Sequence, residues 1–265
     1  MLVSVVMITY GQEKYIRQAI DGVLMQRTNF KIELIVSNDA SPDNTNSIIE
    51  HYIKTHPKAG CINYTNQKKN IGMMPNFEYG LQNCTGTYIA MCEGDDYWTD
   101  PYKLQKQVDF LEANPEYVLC FHKIKILKPD GSLVPDFITK IPENYEMQET
   151  LARFGNYIHT PSAVFRNLII ELPKEFSLAP IGDYFLYMLL TEHGKINCLE
   201  DEMAVYRDGV GVWSAQSEYS KNLKTAITHS IIINILSHNN IVKYILKDRV
   251  VGFIDRFHCE LKADD

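Results

Sequence analysis

The sequence predicts an α/β protein, a doubly wound and mostly parallel Rossmann-like sheet followed by a helical C-terminal extension. Two observations carry this. Strand-like apolar runs alternate with helix-spaced apolar faces through residue 112, the order that builds a parallel sheet covered on both faces. That alternation then stops, and residues 217–257 read as two helices.

Residues 2–9 (LVSVVMIT) form a β-branched run, and Tyr15, Ile16, Ala19, Ile20, Val23 and Leu24 recur as one buried helix face requires. Residues 32–37 (IELIVS) repeat the strand, with Ile48, Ile49, Tyr52 and Ile53 on the next helix. Ser41, Pro42 and Asp43 read as its start, a hydroxyl N-cap followed by proline and an acid. Segment 61–66 is a weak third strand, Phe77, Gly80, Leu81 and Cys84 sit at helical spacing, and 87–92 (TYIAMC) is a fourth strand. After Pro101 a helix on Leu104, Val108 and Leu111 leads to a strand near 117–121, and KPDGS at 128–132 reads as a hairpin turn. Residues 146–154 and 183–193 look helical and 161–166 extended; in the tail Ile241, Tyr244 and Ile245 are expected on one apolar face.

Composition narrows the function. The 265 residues hold 26 Lys and Arg against 33 Asp and Glu, a net charge of −7 with no dense basic run, which argues against nucleic acid as partner. A small anionic ligand held through a metal stays compatible. No apolar stretch reaches the ~18 residues a bilayer crossing needs and no leader pattern is seen, so a cytoplasmic protein is expected. Six scattered cysteines without a CxxC pair predict reduced thiols rather than a zinc site or disulfides.

In such sheets ligands gather at the carboxyl ends of the strands, which makes loops 9–13, 38–43 and 93–98 the candidates. Asp39 ends a strand expected to be buried, where a carboxylate needs a donor. A nucleobase N–H would serve, and an Asx turn is the alternative. Glu93, Asp95 and Asp96 put three carboxylates in four positions. Like charges this close call for a cation or for solvent, and a hard divalent ion would take one or two of them beside nucleotide phosphates. Asp183 opens an apolar helix and suits either a proton acceptor or a dipole-stabilised acid. His159 is open between packing and substrate contact, and Trp98 offers a ring that suits a sugar or the core.

Four segments in this order, SVVMITYGQEKYIRQAIDGVLMQ (4–26), ELIVSNDASPDNT (33–45), the stretch from Asn70 to Glu112 containing MCEGDDYW, and IGDYFL (181–186) with VYRDGVGVWS (205–214), resemble the family 2 glycosyltransferases. These are inverting enzymes of the GT-A fold. The resemblance implies transfer of a sugar from a nucleoside diphosphate donor, expected to be a UDP-sugar, to an acceptor hydroxyl, in bacterial surface polysaccharide synthesis. It implies that Thr9 and Tyr10 cradle the nucleoside, with Glu13 in the same motif, that Asp39 meets the base, and that Asn76 assists unless it is a helix cap near Pro75. Asp95 becomes the direct ligand of Mg²⁺ or Mn²⁺, supported by Glu93 and Asp96, and Asp183 the general base. Arg207 is the remaining diphosphate contact, and Trp98 and His159 face the acceptor. Two departures stand out: Gly182 occupies a place where relatives carry Glu, and Gly209 one where histidine is common.

The implied organisation is a GT-A domain over 1–215, with a nucleotide-binding half to 112 and an acceptor half from 113, and a helical extension over 216–265. The two departures motivate an alternative, a nucleotide-sugar binding or scaffold protein whose catalytic centre has decayed. A Rossmann dehydrogenase would need G-x-G-x-x-G after the first strand, which Thr-Tyr-Gly-Gln is not. A nucleotidyltransferase would need a glycine-rich phosphate loop near the N-terminus. For the tail, Lys243, Lys247, Arg249 and Arg256 suit an interfacial helix facing a glycan or lipid-linked acceptor. Packing on the main domain and a homodimer contact are the other readings.

Overall fold

The computed structural model describes residues 1–168, 171–211, 213–214, 216–236 and 239–263, with side chains of the last helix described as far as Arg256. In chain order the elements are β1 (Leu2–Thr9), α1 (Ile16–Leu24), β2 (Lys31–Asn38), α2 (Thr45–Thr55), β3 (Ile62–Asn66), α3 (Met73–Gln82), β4 (Tyr88–Met91), β5 (Tyr97–Trp98) and α4 (Lys103–Ala113). There follow β6 (Tyr117–Leu127), β7 (Leu133–Pro135), α5 (Gln148–Phe154), β8 (Val164–Arg166), α6 (Gly182–Leu190), β9 (Lys195–Arg207), α7 (Glu218–Ile235) and α8 (Asn240–Ala263).

One mixed sheet runs in the order β3-β2-β1-β4-β8-β6-β9-β5, with β7 paired to β6. Strands β3, β2, β1 and β4 are parallel, β8 runs against both β4 and β6, and β9 is parallel to β6. β1 lies inside the sheet with Val3, Val5, Val6 and Met7 buried, as continuous apolar strands of a two-sided sheet must.

The faces carry separate apolar clusters. On one side α1, α2 and α4 contribute Ile16, Ile20, Ile49, Leu104 and Val108. On the other, α3, α5 and α6 contribute Phe77, Leu151 and Phe185, and the C-terminal hairpin adds Ile232, Val242 and Leu246 to the same cluster. α6 is apolar all round and Tyr184 to Leu190 are all buried, which is what such a helix requires.

Three local expectations are corrected. α2 begins at Thr45 after Asn44, not at Ser41; Ser41 donates instead to Asn38 Oδ1 at 2.5 Å, and Ala40 adopts φ 55°. Ile241 and Tyr244 are 64% and 72% exposed while Ile245 is 7% exposed, so only Ile245 turns into the core. β5 and β9 have no counterpart in the expected elements. β9 carries Glu200, Asp201 and Glu202, which are exposed, beside register shifts against β6, and this breaks the apolar run that marks a strand.

Candidate active site

The tip of β1 joins two of the candidate loops. The Asp39 N–H donates to Thr9 O at 2.9 Å, and the Gly94 N–H donates to Ile8 O at 3.0 Å. Asp39 and the acidic loop therefore hang from adjacent residues of one strand. Across the top, loop 9–13 is zipped to loop 41–45. Gly11 N donates to Ser41 Oγ at 2.9 Å, Gln12 N to Thr45 Oγ1 at 3.0 Å, and Glu13 N to Asp43 Oδ2 at 2.9 Å. Glu13 returns the favour, its Oε2 accepting the Asn44 N–H at 2.9 Å. Glu13 thus satisfies an orphan donor at the start of α2. Thr9 is buried and donates to Gln12 Oε1 at 2.7 Å, whereas Tyr10 stands 52% exposed above it.

Asp39 is 3% exposed, and the donors its burial demanded are backbone groups. Ile71 N donates to Oδ1 at 2.7 Å and Gly72 N to Oδ2 at 2.9 Å. Gly72, at φ 95°, turns the chain into α3. An ionised carboxylate has about four acceptor sites, so both oxygens can accept a further N–H. Asn76 is corrected on both readings: it is neither a cap nor free for a ligand. Its Oδ1 accepts from Ser37 Oγ at 2.6 Å and its Nδ2 donates to Ser37 O at 2.9 Å, bolting α3 to β2.

In the acidic loop, one carboxylate oxygen each from Glu93, Asp95 and Asp96 lies within 4.8 Å of the others. Burial pushes all three carboxyls up, Glu93 to about 8 with the charges of Asp95 and Asp183 adding to it. Asp95 is raised by burial against the opposing pull of Arg207 and a Gln12 hydrogen bond, and Asp96 is raised well above its usual range by burial and its two neighbours. Asp96 Oδ1 accepts the Arg207 N–H at 2.9 Å, but its buried Oδ2 has no partner. A buried orphan carboxylate oxygen facing two other acids is what a divalent cation satisfies, and all-oxygen ligands suit Mg²⁺ or Mn²⁺.

Arg207 is corrected from a diphosphate contact to a holder of this loop. Its Nη1 donates to the Asp95 carbonyl, Nη2 donates to Gln18 Oε1 at 2.5 Å, and the guanidinium lies between the rings of Tyr15 and Tyr97 at 4.9 and 4.6 Å. The loop that follows β9 crosses the acids, where a β-carbon on Gly211 would lie 3.4 Å from Asp95 Oδ2.

Asp183 sits in the first turn of α6, where the helix dipole favours an acid. Oδ1 accepts the Tyr184 N–H at 2.7 Å, and Oδ2 accepts from Asn156 Nδ2 at 2.8 Å and Thr160 Oγ1 at 3.3 Å. Burial nevertheless holds its carboxyl above the usual range, against those hydrogen bonds. Its charge is felt at Glu93, so α6 points this acid at the same end of the sheet. A β-carbon on Gly182 would lie 2.7 Å from Met74 Sδ and 3.0 Å from Phe77 Cδ1. α3 therefore occupies the space a larger residue at 182 would need.

The fold engages both residues expected to face the acceptor. Trp98 is 2% exposed, donates its indole N–H to Pro161 O at 2.8 Å and packs its ring under the Lys103 ammonium, so it has no face to offer a sugar. His159 Nε2 pairs with Asp136 Oδ2 at 3.0 Å and the ring leans on Tyr206. Gln12, Gln18, Asn156 and Thr160 were not singled out in the sequence, and Tyr15 was read only as part of a helix face, because contacts such as that of Gln18 with Arg207 cross 189 residues. Only Gln12 lay in a flagged loop. Surface depressions beside Phe30 and beside His193 are lined by none of these carboxylates.

A family model described as glycosyl transferase family 2 matches residues 4–172. An uncharacterized protein of Mycobacterium tuberculosis is 39% identical over 84% of this chain and 64% of its own length. The chain thus spans about 64% of that relative. Among solved structures, Staphylococcus aureus TarS 1-349 in complex with UDP-GlcNAc matches with a TM-score of 0.67 at 19% identity, covering 97% of this chain and 72% of that one. The mannosyltransferase PcManGT of Pyrobaculum calidifontis, in complex with GDP-Man and Mn²⁺, matches at 0.65 and 17% identity, covering 94% and 68%. These likenesses show a common fold, a curled, mostly parallel GT-A sheet with C-terminal helices.

Proposed function

The chain belongs to glycosyl transferase family 2, and from that premise we propose that it moves a sugar, with inversion, from a nucleoside diphosphate donor to an acceptor hydroxyl. The supporting observation is the convergence at one sheet end. Asp39 and the acidic loop hang from Thr9 and Ile8, and the charge of Asp183 reaches Glu93.

In this reading Tyr10 and Asp39 receive the nucleobase, which fixes the donor across the tip of β1. UDP is the nucleotide we propose, because an acceptor carboxylate suits the uracil imide N–H; the neighbours bound to UDP-GlcNAc and GDP-Man make nucleotide sugars the fitting class. Asp95, with Glu93 and Asp96, would hold Mg²⁺ or Mn²⁺, which when bound supplies Lewis-acid neutralisation of the departing diphosphate. Arg207 holds the Asp95 main-chain carbonyl and Gln12 its carboxylate. Asp183 accepts the proton of the attacking hydroxyl onto a carboxylate oxygen. Its raised affinity for protons makes it a stronger base than a solvated carboxylate, and Asn156 and Thr160 fix its orientation. Surface polysaccharide synthesis is the process we propose.

Gly182 does not imply decay: the space is filled by Met74 and Phe77, and Asn156 with Thr160 supports Asp183 in place of a neighbouring acid. The expected outcome for Asp183→Asn is transfer lowered about 10²- to 10⁴-fold, with the thermal shift given by the donor nucleotide and Mn²⁺ unchanged. A thermal shift panel of UDP, GDP, TDP and CDP with and without Mn²⁺ identifies the nucleotide. Donor binding without transfer to any acceptor in a broad panel would instead support a nucleotide-sugar binding protein.

A further inference from the structure

The outer face of α8 carries an apolar stripe that no described residue of the chain covers. Ile241, Tyr244, Val251 and Ile254 are 64%, 72%, 54% and 55% exposed, and Lys247 and Asp248, also exposed, lie at its centre. The opposite side of the helix is anchored. Val242, Ile245, Leu246 and Phe253 are buried, Arg249 turns inward to the carbonyls of Ala152 and Arg153, and Asn239 caps the start by accepting the Val242 N–H at 3.1 Å. The stripe therefore sits on a fixed helix and spans about 20 Å at ~1.5 Å per residue.

From either end the stripe runs through the same classes of residue, two apolar, two charged and two apolar. Laid antiparallel about a two-fold axis between residues 247 and 248, Ile241 meets Ile254 of the partner subunit, Tyr244 meets the partner's Val251, and Lys247 meets the partner's Asp248. Each pairing occurs twice, as a contact of one patch with itself demands. Apolar residues face apolar residues, and the central pair Lys247 and Asp248 face opposite charges, while Asp255 faces the uncharged Asn240 of the partner subunit.

An anionic membrane fits less well. A helix lying on such a surface carries a cationic flank, whereas here Asp248 and Asp255 balance Lys247 and Arg256 along the exposed face, and Arg249 is committed to α5.

We propose that the exposed face of α8 is a self-complementary dimer seam that pairs with the same face of a second copy of this chain. A single helix pair buries area at the small end of stable interfaces, below about 1,200 Å², so the dissociation constant is expected in the micromolar range.

Sedimentation velocity of the 265-residue chain over about 1 to 200 μM tests this range. A reversible monomer–dimer equilibrium is expected. Tyr244→Glu removes it, and Lys247→Asp or Asp248→Lys alone weakens it about tenfold or more by facing like charges. The double variant K247D/D248K restores it, because the swapped pair is again complementary. All three positions are on the solvent face, and unchanged thermal midpoints confirm that the variants are folded. A monomer at the top concentration overturns the proposal, as does a dimer indifferent to Tyr244→Glu. A double variant no stronger than its singles overturns the two-fold register. A monomer that co-sediments with phosphatidylcholine–phosphatidylglycerol vesicles and loses that binding in Lys247→Asp overturns it in favour of a membrane surface.

Discussion

Two side chains show how buried charge is managed near the site. The Lys103 ammonium is fully buried, donates to Gln107 Oε1 at 2.8 Å and lies 4.2 Å from the centre of the Trp98 ring. Burial lowers its pKa from 10.5 to about 7. The sign follows: between those two values the unfolded chain binds more protons on this amine than the folded one, so its contribution to stability rises with pH through that window. Lys103→Met should flatten the rise of the thermal midpoint between about pH 7 and pH 10, measured against the parent at each pH. Arg207 binds through geometry as much as charge, with one nitrogen on the Asp95 carbonyl, another on Gln18, and a ring on each side. Arg207→Lys retains the charge and loses the planar fork. We expect the Mn²⁺-dependent part of the donor thermal shift to shrink, and kcat/KM to fall about tenfold or more, the worth of a charge-assisted hydrogen bond.

At the scale of elements, close approach of α1 to β5 sets the acidic loop. A β-carbon on Gly22 would lie 2.8 Å from Trp98 N and 3.1 Å from Trp98 O, backbone atoms that cannot swing away. Gly22→Ala should destabilise by about 1–3 kcal/mol in denaturant titration, and because Trp98 follows the loop directly, metal-dependent activity should fall with it. The elements that deliver the carboxylates were legible in the sequence. β1, β2 and β4 are mainly apolar runs, interrupted by Ser4 in β1 and Glu33 in β2, that end in polar residues, the pattern of strands in a two-sided sheet. β9 was not legible, since its acids at 200–202 face solvent at an irregular stretch. Asp39, Asp95 and Asp183 stood out as charges next to apolar segments. The orientation of an uncharged or aromatic side chain depends on tertiary neighbours, so Trp98, Asn76 and His159 were assigned to ligand when the fold spends them on Pro161, Ser37 and Asp136. Ile241 and Tyr244 were similarly grouped with Ile245 because three adjacent apolar residues do not reveal which side of a helix is covered.

Over the whole molecule, the described helices include none long and apolar enough to cross a membrane, and the C-terminal hairpin is part of the second apolar cluster rather than an appendage. Arg249 makes it so: from α8 it reaches the last carbonyls of α5, Ala152 and Arg153, two residues before the turn that brings Asn156 to Asp183. A β-carbon on Gly155 would lie 3.2 Å from Arg249 Nη2, so the turn is fitted to this side chain. Arg249→Met should cost about 1–3 kcal/mol by removing the charged donor from these two carbonyls; turnover should drop while the nucleotide thermal shift stays at its parental size, read in the same preparation. The proposed nucleotide cradle, by contrast, is wired among loops within the first 96 residues apart from Arg207. Inherited changes in the last helix would thus retune the speed of the reaction while leaving the choice of donor alone, and a lineage can adapt one without renegotiating the other.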